Sequence, residues 1–248
     1  MNDDRIHVLG GQLELLQPLG GFKTSIDAVL LGAACPAEGG ERVLDLGCGV
    51  GSAGLCTLSR VAEARLTGID ILPRSVELAE KNAALNGQDA RAAFIAEDIR
   101  DYEGGMNADG HGEFDHVICN PPYLEAGAHI QSPSPEKQTA IGFGEDDIDL
   151  KDWIDAAYRN IKVGGSFTMI NRADHTDKII QGFGRKFGAV EIIPLWPKLS
   201  MPAKRVIIRA RKDRKSPSVI HAGVILHREN GEYTDAAEAI LRDGKALF

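Results

Sequence analysis

The chain contains 248 residues, of which 43% are hydrophobic and 26% charged, and this balance is typical of one globular domain that buries a sizeable core. Its apolar runs stay well short of the roughly 20 residues that a membrane-spanning helix needs, and the acidic start Met1-Asn2-Asp3-Asp4 lacks the basic region of a signal peptide, so we expect a cytoplasmic protein with no membrane contact. The net charge of −8 argues at first against a nucleic-acid partner.

The N-terminal segment has the pattern of a short β-hairpin. Gly10-Gly11 is the expected turn between two strands at residues 6–9 and 13–16. A helical pattern follows over residues 25–34. We therefore expect the first 40 residues to form a hairpin and a helix that precede the main sheet.

A strand, a glycine-rich loop and a helix follow. The apolar run at residues 43–46 leads into Gly47-Cys48-Gly49-Val50-Gly51, and residues 52–60 are compatible with a helix. Glycines at alternate positions let a loop turn tightly and bring its backbone against a ligand, while the N–H groups at a helix start favour an anion such as a carboxylate. This segment predicts a site for a small ligand.

Two acidic residues close the next two apolar runs. Asp70 follows the run at residues 66–69, where a carboxylate can accept hydrogen bonds from both hydroxyls of a ribose. Asp98 follows the run at residues 92–96. Asp98 can have a ligand-binding role at this strand end or a structural role as the N-cap of a helix or loop, for which Asp is a favoured residue.

The fourth apolar run, at residues 114–119, ends in Asn120-Pro121-Pro122-Tyr123. The two prolines force extended backbone and remove two N–H donors, which leaves carbonyl oxygens and the Asn amide as acceptors. The aromatic residue adds a flat face. This combination suits a planar group that bears an NH2, such as the edge of adenine or a carboxamide, although a Pro-rich turn followed by a core Tyr explains the same four residues.

Gly49 to Gly54 also spells G-x-G-x-x-G, and Asp70 lies 21 residues after Gly49, as in a dinucleotide-binding site. The turn of a dinucleotide-binding site normally begins directly after the strand. Here Gly47 and Cys48 lie between the end of the strand at Leu46 and the first glycine of that pattern, Gly49. The acidic Asp45 also has no role in that reading.

The second half of the chain continues the alternation. Its predicted elements are a helix at 150–160, a strand at 166–170, a helix at 174–187 and strands at 190–195 and 205–210. The linker at 196–202 is too short for a crossover helix, so the last two strands should be antiparallel. Further on, Asn230-Gly231 predicts a hairpin and Thr234 caps a final short helix. Residues 131–149 are polar, Pro-punctuated and then acidic, and we expect a lid there.

A basic segment stands out against the acidic remainder. Between residues 198 and 215, eight basic residues face one acidic residue, a local charge of +7 that leaves −15 elsewhere. Such a segment can bind phosphates, and we expect Lys198, Lys204 and Arg205 to face RNA. The alternative is a solvated strand edge. The cysteines show no C-x-x-C pairing and the histidines no metalloprotease pattern, so we expect no metal.

The pattern D-x-G-x-G-x-G from Asp45 to Gly51 resembles motif I of the class I S-adenosylmethionine-dependent methyltransferases. Asp70, Asp98 and the Asn120 tetrapeptide follow in the order that those enzymes share. Residues 16–210 resemble the small-domain methyltransferases, with the greatest likeness to the bacterial tRNA N6-adenine methyltransferases that act in the anticodon loop.

The resemblance implies a single α/β domain with a doubly wound, mostly parallel seven-stranded sheet whose last strand pair is antiparallel. Residues 41–211 would form the catalytic core and residues 212–248 a C-terminal extension made of a hairpin and a helix. It implies S-adenosyl-L-methionine as the cofactor and transfer of a methyl group to N6 of an adenine in RNA, with tRNA as the expected substrate.

The resemblance also implies which residues bind the cofactor: Asp45, Gly47, Gly49, Gly51, Asp70, Asp98, Thr24 and Asp27. Asp70 would hold the ribose and Asp98 the adenine amino group, while Thr24 and Asp27 would lie near the methionine end. The catalytic residues would be Asn120, Pro121, Pro122 and Tyr123. In this mechanism the Asn120 side-chain oxygen and the Pro121 carbonyl accept the two amino hydrogens, and Tyr123 stacks on a flipped-out base.

Other functions remain open at this stage. Protein-glutamine methyltransferases carry the same tetrapeptide, and guanine-N2 methylation of rRNA is a further possibility on the same fold. A helical domain typically precedes motif I in the glutamine enzymes, whereas a hairpin is predicted here. An NAD-dependent oxidoreductase and a non-enzymatic RNA-binding module are more remote alternatives.

Overall fold

The core of the structure is a mostly parallel β-sheet covered by helices on both faces. The structure, a computed structural model, describes residues 3–20, 23–105, 112–122 and 148–247. The strands are β1 (Asp3–Val8), β2 (Leu13–Pro18), β3 (Arg42–Leu46), β4 (Arg65–Asp70), β5 (Ala92–Ala96), β6 (Phe114–Cys119), β7 (Ile161–Arg172), β8 (Phe187–Trp196), β9 (Arg205–Lys212), β10 (Val219–Ile220) and β11 (Val224–Ile225). The α-helices are α1 (Ile26–Ala34), α2 (Ser52–Arg60), α3 (Pro73–Leu85), α4 (Leu150–Asn160), α5 (Thr176–Phe183) and α6 (Asp235–Leu241).

The main sheet has the strand order β5-β4-β3-β6-β7-β9-β8. Strands β3 to β7 are parallel, and β9 runs antiparallel to both β7 and β8. The predicted seven-stranded sheet with an antiparallel last pair is therefore confirmed. The two short strands β10 and β11 extend it beyond β8, where both pair with β8 in parallel. This extension was not predicted, because two-residue strands carry no periodic pattern.

Burial of both faces explains why the central strands form. Successive residues of β3 pack into different hydrophobic clusters, Val43 into the cluster with α1, α2 and α3, and Leu44 into the cluster with α4 and α5. Alternate side chains of a strand point to opposite faces, so a strand covered on both sides is apolar throughout. The acidic exception in β3 is Asp45, which is 2% exposed.

Capping side chains mark the starts of three helices, and the cap at Thr234 was predicted. The Ser25 side chain accepts a hydrogen bond from the Asp27 N–H at the start of α1, and Thr234 caps α6 through the Ala237 N–H. Asp149 and Asp152 form a capping box at α4. None of the described helices is long and apolar enough to cross a bilayer.

Both chain ends pack outside the main sheet. Strands β1 and β2 form the predicted antiparallel hairpin, with Gly10 at φ +63° in its turn. The segment after β11 makes a turn closed by one bridge between His227 and Tyr233, where a longer hairpin was predicted. Helix α6 then packs against α1.

Candidate active site at the carboxyl edge of the sheet

The strand register brings the predicted site residues to one edge of the sheet. Leu46 at the end of β3 pairs with Ile69 of β4 and with Cys119 of β6. Because these strands are parallel and neighbouring strands lie about 4.8 Å apart, the loop after β3, Asp70 and Asn120 all begin at adjacent points. Ligands of open α/β sheets bind at such an edge.

The glycine loop is closely packed against aromatic rings at Gly47 and Gly51 and is open at Gly49. Gly47, Gly49 and Gly51 have φ values of +64°, +55° and +83°. A Cβ atom at Gly47 would overlap the ring of Trp153, and one at Gly51 would lie 3.2 Å from the ring of Phe94. At Gly49, in contrast, no described atom lies within 4 Å of that position. Gly49 is therefore where a ligand can approach the backbone.

Asp45 connects β3 to the helix that follows the loop. Its Oδ2 accepts a hydrogen bond of 3.0 Å from the Gly54 N–H, in the first turn of α2. This carboxylate satisfies one of the N–H groups that a helix start leaves without a backbone partner. Burial, together with the nearby Asp70 charge, raises the pKa of Asp45 to about 7 against the opposing effect of the Gly54 N–H.

Asp70 is held by backbone donors on both sides. Its Oδ2 accepts from the Gly49 N–H at 2.8 Å, and its Oδ1 accepts from the Leu72 N–H at 2.9 Å. Burial raises the pKa of Asp70, and the two N–H groups oppose that shift. A carboxylate has about four acceptor positions, so two remain for a diol such as that of ribose.

Asp98 makes the contact with a backbone N–H that is expected of an N-cap residue. Its Oδ1 accepts from the Arg100 N–H at 2.8 Å, and the Arg100 guanidinium lies 2.7 Å from its Oδ2. The Arg100 hydrogen bond lowers the pKa of Asp98. Asp98 follows β5, whose pairing with β4 places it next to the Asp70 end of the edge.

Thr24 and Asp27, the two predicted cofactor-binding residues that precede the main sheet, contact different parts of the site. The Thr24 Oγ1 lies 2.7 Å from the Ser52 Oγ, at the first residue of α2. Asp27 is buried and its Oδ2 accepts from the Arg205 Nε at 3.1 Å. Asp27 and Arg205 are 178 residues apart in the chain, and no local pattern predicted this contact.

The Asn120 motif is described only in part. Asn120 is partly buried, Pro121 is buried and Pro122 is exposed. Tyr123 and residues 131–147 of the predicted lid at 131–149 lie outside the described residues.

The basic segment divides between structural and exposed roles. Strand β9 lies between β7 and β8, so the alternative of a solvated strand edge is wrong. Arg209 makes a bidentate ion pair with Glu191, in which the Nε and one terminal nitrogen of the guanidinium donate to the two carboxylate oxygens at 2.9 and 2.7 Å. Lys212 is 3% exposed and its Nζ donates to the carbonyls of Tyr158 and Ile161, at 2.8 and 2.9 Å, while burial lowers its pKa.

The linker between β8 and β9 lies on the site edge. Arg205 at the start of β9 pairs with Arg172 at the end of β7, which is parallel to β6. The Lys204 side chain in this linker is exposed, while the Lys198 Nζ donates to the Glu229 carbonyl at 2.8 Å. The three basic residues predicted to face RNA therefore share an edge with Asn120, two to three strands away.

Neither a disulfide nor a metal cluster is present in the described part of the chain. Its cysteine thiols are free and buried, and their residues are Cys35, Cys48, Cys56 and Cys119. Burial raises the pKa of each thiol. Over the same residues, no group of three or more His, Cys, Asp or Glu side chains is arranged to hold a metal ion.

Comparison with known sequences finds similarity to methyltransferases. Residues 25–133 match the family model of the methyltransferase small domain. The tRNA1(Val) (adenine(37)-N6)-methyltransferase of Shewanella sediminis is 30% identical over 112 residues, which are 45% of this chain and 46% of that protein. The chain thus matches about half the length of this relative. The enzyme of the same name from Aeromonas hydrophila is 24% identical over 216 residues, 86% of each protein.

Comparison with solved structures concerns the fold. A predicted O-methyltransferase from Agrobacterium tumefaciens superimposes with a TM-score of 0.71 over 90% of this chain and 98% of that one, at 24% identity. This likeness and the strand order establish the fold of the class I methyltransferases.

Proposed function

We propose that this chain, whose residues 25–133 match the family model of the methyltransferase small domain, transfers a methyl group from S-adenosylmethionine to N6 of an adenine in tRNA. The observation that carries the proposal is the meeting of the glycine loop, Asp70 and Asn120 at adjacent strand ends. A cofactor site and an acceptor site for an amino group then lie side by side.

The residues around the loop fit a nucleoside cofactor with a charged amino-acid tail. Gly49 leaves room for close approach to the backbone, and Asp70 retains two acceptor positions for the ribose hydroxyls. Asp98 lies on the neighbouring strand end for the adenine amino group, while Thr24 and Asp27 belong near the methionine end. When bound, S-adenosylmethionine supplies an electrophilic methyl group.

Asn120 and Pro121 are the proposed acceptors for the two hydrogens of the adenine N6 amino group. Two acceptors on these hydrogens favour a tetrahedral nitrogen whose lone pair lies out of the ring plane and can attack the methyl carbon as the bond from that carbon to sulfur breaks. The nitrogen is cationic after the transfer and then loses one proton, so no strong general base is required. Holding that nitrogen in line for displacement is the main contribution of the site, since positioning alone lowers such barriers by several kcal/mol. Tyr123, which follows in the sequence, is proposed to stack on the base after it leaves the helical stack.

The substrate assignment rests on the relatives and on the basic linker. The relatives from Shewanella and Aeromonas are named for adenine 37 of tRNA1(Val). Lys198, Lys204 and Arg205 lie on the site edge, where they are proposed to contact RNA phosphates. Phosphate contacts position an RNA without reading its sequence, so base choice is left to the Asn120 motif.

Methyl transfer to total RNA and protein is the test. The purified chain is incubated with labelled S-adenosylmethionine and, in separate reactions, total tRNA, total rRNA or release factors, and each product is digested to single units. We expect N6-methyladenosine from tRNA, formed about a hundredfold more slowly by Asn120→Ala. Label on glutamine or on guanine would overturn the substrate assignment.

Calorimetry tests the cofactor separately. We expect S-adenosylhomocysteine to bind and NAD to give no heat of binding. Binding of NAD without binding of S-adenosylhomocysteine would end the methyltransferase proposal.

A further inference from the structure

Two asparagines, Asn82 of α3 and Asn86 directly after the helix, bind the edge of β2 as a neighbouring strand would. The Asn82 Oδ1 accepts from the Leu16 N–H at 2.7 Å, and its Nδ2 donates to the Leu16 carbonyl at 3.0 Å. Asn86 makes the same pair of bonds with Glu14, at 3.0 and 2.7 Å. Residues four apart on a helix share one face and residues two apart on a strand share one edge, so the two amides continue the sheet.

Asn82 differs from Asn86 in what its second N–H reaches. The Asn82 Nδ2 also donates to the Val50 carbonyl in the glycine loop, at 2.9 Å. The Asn86 Nδ2 donates instead to the Asn82 carbonyl inside α3, at 2.7 Å. Asn82 is wholly buried and uses both amide hydrogens, one on the hairpin and one on the loop.

The hairpin has a second connection to the same loop. Gln17 of β2 is 3% exposed, and its Oε1 accepts from the Thr24 N–H at 2.9 Å. The Thr24 hydroxyl in turn bonds the hydroxyl of Ser52, directly after Gly51. The N-terminal hairpin therefore reaches the loop on both sides of Gly51.

We propose that Asn82 is a positioning residue for the cofactor, which anchors the Val50 carbonyl to the hairpin and so holds the turn between Gly49 and Gly51 in its binding conformation. Glycines have the largest conformational freedom of any residue, so a loop built on them loses much entropy when it is ordered. An anchor that orders the loop in the free protein removes part of that cost from cofactor binding. This inference rests on the proposed function, because it concerns cofactor affinity at that loop.

The test compares Asn82→Asp with Asn86→Asp in the full chain. In both variants the carboxylate can still accept from the β2 N–H but no longer donates to the β2 carbonyl, and only Asn82→Asp also releases Val50. We expect S-adenosylhomocysteine to bind about tenfold more weakly to Asn82→Asp, and within about twofold of wild type to Asn86→Asp, as measured by calorimetry well below each unfolding temperature. In turnover, Asn82→Asp should raise KM for S-adenosylmethionine and leave kcat within about twofold.

Equal affinities in the two variants would overturn the proposal. Asn82→Ala and Asn86→Ala form a second pair, which removes the same donors without placing a charge in the core. In the wild-type protein, S-adenosylhomocysteine should slow amide hydrogen exchange at Leu16, the partner of Asn82, more than at Glu14, the partner of Asn86. Equal slowing or no slowing at the two amides would also contradict the proposal, and this measurement needs no variant.

The outcomes separate this inference from the proposed function. If the wild-type chain does not bind S-adenosylhomocysteine, the proposed function itself fails. If the wild type binds it and the Asn82 and Asn86 variants bind equally well, only the role of Asn82 is lost.

Discussion

The two halves of the site edge hold their polar groups in different ways. On the cofactor side, Asp45 and Asp70 are bound by backbone N–H groups of the glycine loop, of the turn after β4 and of α2, within a tightly packed frame. On the linker side, Lys204 is exposed and Lys198 contacts the neighbouring Glu229 turn. A rigid frame suits one small ligand of fixed shape, whereas exposed cations suit a large polyanion. Substitutions on the cofactor side should therefore cost far more than those on the linker side.

Asn120→Ala should give the largest effect. Loss of a polar group that holds the reacting nitrogen should lower kcat by about a hundredfold, the size seen when one hydrogen-bonding group is removed from a reaction centre. Calorimetry should show the affinity for S-adenosylhomocysteine within about twofold of wild type. Unchanged turnover would remove Asn120 from the mechanism.

Gly47→Ala and Gly49→Ala should separate packing from binding within one loop. A Cβ at Gly47 meets the Trp153 ring at a positive φ, so this variant should lose about 3 kcal/mol of unfolding free energy. Gly49→Ala meets no described atom and should lose only about 1 kcal/mol, but its Cβ occupies the space for the ligand. Urea unfolding measures the loss of stability in each variant, and calorimetry measures the affinity of each for S-adenosylhomocysteine. Similar losses of stability in the two variants would contradict this prediction, because they would show that the Trp153 ring can move to accommodate a Cβ at Gly47.

Asp45→Asn should change how stability depends on pH. The pKa of about 7 in the folded state lies above the ordinary value of 3.8 for an Asp side chain, so the native state binds the proton more tightly than the unfolded state. Stability from this group is present below about pH 4 and is lost as pH rises through about 7. Between pH 5 and pH 8 the variant should therefore gain about 2 kcal/mol relative to wild type in urea unfolding. A difference that stays constant with pH would mean that Asp45 titrates normally.

Lys204→Ala should give the smallest effect. Removing one exposed phosphate contact should weaken tRNA binding by about 1 kcal/mol and reduce the slope of log K against log salt by about one. Lys215 is the matched control, because it is exposed in the same basic segment but lies beyond the opposite end of β9. Filter binding at several salt concentrations would reveal whether Lys215→Ala has the same effect, which would make the interaction nonspecific.

Much of the frame could be predicted because its signals are local. The glycine loop, the alternating apolar runs and Pro73 at the start of α3 depend on a few neighbouring residues each. The short linker between β8 and β9 predicted their antiparallel pairing, and the structure confirms it. The basic segment could not be interpreted in the same way, since the surroundings of Arg209 and Lys212 depend on strands far away in the sequence.

By itself the sequence determined the order of the elements and the position of each candidate residue at the end of a strand, because periodicity and turn chemistry act over short distances. Only the tertiary structure decided which polar groups satisfy one another. The amide of Asn82 meets Leu16 and Val50, which are 66 and 32 residues away, and Asp27 meets Arg205. A buried polar group must find a partner wherever the fold places one, and sequence distance carries no information about that choice.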